Sequence, residues 1–68
     1  MNKQVHVFTC DEFQVKAVIK DNYVEFNFYK PNREWYRFFV STVGYMGTNE
    51  ELEEVALNLV NKHFKKGA

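Results

Sequence analysis

Cysteine is almost missing from this sequence. Cys10 stands alone, so no intrachain disulfide can staple the fold. Secreted domains of this size usually carry an even set of cysteines, which makes a reducing, cytoplasmic setting the expectation. Three glycines and one proline leave no stretch that reads as linker or disordered tail beyond a residue or two at either end. Net charge is missing too: nine Lys and Arg balance nine Asp and Glu, which removes the long-range field of a dedicated duplex-DNA or membrane-surface binder. The longest apolar runs are three residues, as in Phe38-Phe39-Val40, against the roughly 20 that a spanning helix needs. The polar start Met1-Asn2-Lys3-Gln4 lacks the apolar core of a signal peptide. No internal repeat is visible. What is present is 46% hydrophobic content in 68 residues, enough for one core and hence one domain over residues 1–68.

The first two thirds alternate apolar and polar at period 2 and are rich in Val, Phe, Tyr, Ile and Thr, and the last third changes to a helical period. Four strands are expected, at about Lys3 to Thr9, Phe13 to Lys20, Tyr23 to Lys30 and Glu34 to Thr42. The intervening turns are short enough to make neighbours antiparallel. Asp21-Asn22 suits a two-residue type I′ turn at positive φ, Pro31-Asn32-Arg33 a turn with a bulge, and Cys10-Asp11-Glu12 a weaker connection.

A register slip of one residue flips every side chain of a strand, so the apolar set must choose the pairing. It sets Ile19, Ala17 and Val15 against Val24, Phe26 and Phe28, and these against Val40, Phe38 and Tyr36. The same logic puts Val5 and Val7 beside Ala17 and Val15, closing a meander in the order 1-2-3-4. The fold class is therefore α+β, with a C-terminal helix on one face. That helix begins at the capping box Thr48-Asn49-Glu50-Glu51. Leu52, Val55, Ala56, Leu59, Val60 and His63 form its apolar stripe, with Leu57 and Phe64 at the margin. Lys62, Lys65 and Lys66 complement the negative end of its dipole, and Tyr45 and Met46 are expected to plug the seam between sheet and helix.

The uncovered face then carries three rows across the strands: Phe8, Gln14, Tyr29, Trp35; His6, Lys16, Asn27, Arg37; and Gln4, Val18, Glu25, Phe39. A contiguous patch with Trp, Tyr and two Phe marks an interaction site. In the preferred reading it binds another protein, with Trp35 as anchor, Arg37 as the charged member, and Tyr29, Phe39 and Phe8 around them. In the alternative, Tyr29 and Trp35 stack on unpaired bases of single-stranded nucleic acid while Lys16, Arg33 and Arg37 follow phosphates. Glu25 and the zero net charge oppose that reading. A third possibility is that Trp35 and Phe39 fold over the sheet edge or pack in a homodimer. Strand addition at the first or fourth strand is a further route to a partner.

Catalytic and metal chemistry find little support. Cys10 with His6 is the nearest nucleophile–base pair, but in an extended strand these lie about 13 Å apart at roughly 3.3 Å per residue, beyond the reach that activates a thiol. His63 sits mid-stripe on the helix, where a packed or partly exposed histidine is the commoner outcome. No Cys-x-x-Cys or His-x-x-x-His spacing offers a zinc site. Glu50, Glu51, Glu53 and Glu54 read as a capped, solvated helix face, and Gly44 and Gly47 lack the lysine of a phosphate-binding loop. No cofactor and no enzymatic activity are expected. A meander followed by a helix is similar in element order to small DNA-binding domains such as integrase amino-terminal arms, but no arginine-rich strand or motif here carries any residue across. The expectation is a non-enzymatic inhibitor or adaptor acting stoichiometrically on a protein, as many small phage and mobile-element proteins do.

Overall fold

The computed structural model describes residues 4–44 and 47–65. Four antiparallel strands, β1 (Gln4–Cys10), β2 (Phe13–Ile19), β3 (Tyr23–Tyr29) and β4 (Trp35–Ser41), form one sheet in the order β1-β2-β3-β4, followed by the helix α1 (Asn49–His63). The expected meander and C-terminal helix are both present. Tyr45, Met46 and Lys66, given roles above, lie outside the described residues.

Phe13, Val15, Ala17, Val24, Phe26 and Phe28 pack under Leu52, Ala56 and Val60 of α1 to form the buried core. Fully burying each larger side chain contributes roughly 1.5–3 kcal/mol. Around them sit Phe8, Cys10, Ile19, Tyr36, Phe38, Val40, Val55, Leu59 and Phe64, each partly buried. Leu57 and His63 are exposed, and His63 lays its ring on Phe38 with centroids 4.7 Å apart. The helix starts where its cap predicts: Thr48 is extended and its hydroxyl accepts the Glu51 N–H at 3.2 Å. At the other end Lys65 reaches Asp11 at 2.7 Å, a contact that raises the lysine pKa through its hydrogen bond and charge.

The β2–β3 and β3–β4 registers are those expected: Ile19, Ala17 and Val15 oppose Val24, Phe26 and Phe28, which oppose Val40, Phe38 and Tyr36. The Pro31–Arg33 loop closes with Arg33 N–H donating to Lys30 C=O at 3.0 Å, and Arg33 takes φ 73, a type I turn followed by a left-handed bulge residue. The Asp21-Asn22 loop has the expected length, closed by Lys20 N–H to Tyr23 C=O at 2.9 Å. Neither of its residues takes positive φ, so the type I′ expectation does not hold.

β1 departs from expectation. Cys10 pairs with Phe13, leaving Asp11-Glu12 as a two-residue loop with Asp11 at φ 57, where the sequence reading used three residues. That single residue shifts the register so that His6 opposes Ala17 and Phe8 opposes Val15. Gln4, His6, Phe8 and Cys10 therefore face the helix, and Val5, Val7 and Thr9 face outward. The exchange buries the larger Phe8 in place of a valine and lets His6 meet Glu53 of α1 at 3.0 Å.

Candidate binding face

With the register corrected, the open face reads Thr9, Gln14, Tyr29, Trp35; then Val7, Lys16, Asn27, Arg37; then Val5, Val18, Glu25, Phe39; then Tyr23 beside Ser41. Five of the expected site residues gather here: Trp35, Arg37, Tyr29, Phe39 and Lys16. Phe8 does not. It packs on the helix side against the core and stacks on His6 at 5.0 Å. Arg33 stands at the bulge of the Pro31–Arg33 loop rather than in a row of the face. Val5 and Val7, expected in the core, are 47% and 53% exposed and add apolar surface to the open face.

Asn27 organises the face, and the sequence reading assigned it no role. It is 3% exposed, yet it satisfies all its polar atoms. Its amide nitrogen donates to the Lys16 carbonyl and to Glu25 Oε2, both at 3.3 Å. Its Oδ1 accepts from Trp35 Nε1 at 3.3 Å and from Arg37 Nε at 3.2 Å. Arg37 Nε also lies 3.4 Å from Glu25 Oε2, and the guanidinium carbon sits 4.5 Å from the Trp35 ring centroid. A polar group this buried costs about 1–3 kcal/mol when unsatisfied, so these bonds hold the donors in place. The available signal was an Asn between two core phenylalanines, in one row with Lys16 and Arg37 and diagonal to a tryptophan.

Two aromatic pairs flank this hub. Tyr29 and Trp35 lie with near-parallel rings, 8° apart, at 6.2 Å between centroids, and Tyr23 meets Phe39 edge-on at 5.6 Å. Trp35 and Phe39 remain 49% and 61% exposed. Lys16 has no ion-pair partner among the described residues. The result is a preformed patch in which large rings stand on a hydrogen-bonded floor.

Cys10 is half-buried and its thiol pKa is pushed up by burial and by Asp11, which keeps it in the less nucleophilic protonated form. Among the described residues no group of three or more His, Cys, Asp or Glu is placed to hold a metal ion. Among them, too, no helix is long and apolar enough to cross a membrane. Comparison with protein-family models, with curated proteins and with solved structures finds no match.

Proposed function

We propose that this chain is a non-enzymatic module that binds another protein stoichiometrically, as an inhibitor or adaptor, through the open sheet face. The supporting observation is the cluster in which buried Asn27 holds Trp35 and Arg37 in fixed positions while Trp35 and Phe39 stay about half exposed. Trp, Tyr and Arg dominate interface energies when they are central and rigidly placed. Here their ordering is completed before any partner arrives.

A face-to-face homodimer is less well supported, because its centre would hold Lys16 beside the Glu25–Arg37 pair, and burying an unpaired ammonium is costly. Single-stranded nucleic acid is weakened by the same cluster. Arg37 already lies over the Trp35 ring, which covers ring surface that base stacking requires.

The test is paired affinity capture with wild type and a Trp35→Ser/Phe39→Ser variant, each verified as folded by circular dichroism. A protein retained by the wild type and lost by the variant supports the reading. Equal retention by both contradicts it, and quenching of Trp35 fluorescence by oligonucleotides would transfer the face to nucleic acid.

A further inference from the structure

The sheet ends at β4, and among the described residues no strand pairs with its outer edge. Lys30 N–H donates to Glu34 C=O at 2.9 Å and Thr42 N–H donates to Asn22 C=O at 3.2 Å. Those two bonds fix even-numbered residues as the hydrogen-bonded set of β4 against β3. By the alternation of an antiparallel ladder, the N–H and C=O groups of Trp35, Arg37, Phe39 and Ser41 point outward along the free edge. Natural edges are blunted by lysine, proline, bulges or short length. β4 has seven residues, no Lys and no Pro, and its one charge, Arg37, is drawn inward to Glu25 and Asn27.

The four residues with outward backbone groups are those whose side chains stand on the open face. Arg37 spends only Nε within the protein. Its terminal nitrogens have no partner among the described residues, and the guanidinium carbon lies 4.5 Å from the Trp35 ring centroid. The guanidinium fork is shaped for a carboxylate. A strand laid along β4 would place one residue opposite Arg37 and the residues two positions either side opposite Trp35 and Phe39.

We propose that the β4 edge accepts an extended antiparallel strand of a partner protein, of the pattern apolar-x-acidic-x-apolar. Its acidic side chain pairs with the Arg37 fork and its apolar residues pack on Trp35 and Phe39. This rests on the open-face reading and names the partner's chemistry. A second copy does not fit it. Neither β1 nor β4 contains an acidic residue to meet Arg37. The β1 edge, with outward Val5, Val7 and Thr9, offers backbone groups and no charged side chain.

The experiment is amide hydrogen exchange by NMR on the whole chain with a capped peptide, Thr-Val-Thr-Glu-Thr-Val-Thr, at millimolar concentration. Two analogues accompany it, one with glutamine for the glutamate and one N-methylated at the glutamate and both valines. In the free protein the Trp35, Arg37, Phe39 and Ser41 amides exchange fast while those of Tyr36, Phe38 and Val40 are protected. The glutamate peptide slows the first set, and the N-methylated peptide does not. Arg37→Gln weakens the glutamate peptide about tenfold and leaves the glutamine peptide unchanged. Arg37→Lys, which keeps the charge and loses the fork, falls between.

Absence of slowing with the glutamate peptide overturns the proposal, as does protection in the free protein that rises with its concentration, which would assign the edge to a second copy. Binding of the N-methylated peptide with shifts at Trp35 and Phe39 would overturn edge pairing and leave the face reading standing.

Discussion

The indole N–H of Trp35 donates to Oδ1 of Asn27 at 3.3 Å, so an exposed aromatic residue is held from below by a buried amide. The prediction is a coupled loss. Asn27→Leu should destabilise the chain by about 1–3 kcal/mol through the Trp35 and Arg37 donors left without their shared acceptor. It should also shift Trp35 emission to the red as the ring gains freedom and water. Urea denaturation followed by fluorescence reads both. A stability loss with unchanged emission would mean that Asn27 does not position Trp35.

The two faces of the sheet should respond differently to truncation. Trp35→Ala removes a half-exposed ring and should cost no more than about 1–1.5 kcal/mol, whereas Phe28→Ala, at a fully buried site, should cost about 3–5 kcal/mol. Chemical denaturation of both variants checks the contrast. Equal losses would place Trp35 in the core.

Arg33 occupies a left-handed conformation, φ 73, with a side chain that disfavours it. Arg33→Gly relieves that strain and gives back part of the gain through chain entropy, so stability should rise by about 0.5–1 kcal/mol. An unchanged or lower urea midpoint would contradict the bulge assignment. Thr48→Ala should lower stability by about 1 kcal/mol through loss of the helix cap.

Tyr36 donates its hydroxyl proton to Glu34 at 2.8 Å, and that bond, helped by Lys30, holds the Glu34 carboxyl below the ordinary glutamate range. The folded pKa is depressed, so the stabilising contribution is complete above the ordinary value and disappears as pH falls through the folded value. Tyr36→Phe should move the Glu34 titration, followed by carboxyl carbon NMR, upward toward the ordinary range. An unmoved titration would rule out the hydrogen bond as the cause.

Most of the fold was legible because β2, β3 and β4 have loops of decisive length and core faces marked by their largest apolar residues. β1 was not, since Val5 and Val7 compete with Phe8 and Cys10 for the core and alternation alone serves either set. The length of the Asp11-Glu12 loop decided it, reinforced by contacts from α1 and the residues just after it that no local pattern encodes: His6 to Glu53 and Asp11 to Lys65. The aromatic residues of the site were visible as a row. The burial of Asn27 was not, because it arises from Trp35 and Arg37 folding over it across the strands.

The most direct test of the open-face account places a photo-crosslinking benzoylphenylalanine at Phe39 on the sheet face, and separately at Leu57, which is exposed on α1. With both proteins irradiated in the same cell extract, the account predicts a discrete heavier adduct from position 39 and none from position 57. An adduct from position 57 with none from position 39 would show that the helix, and not the sheet, meets the partner.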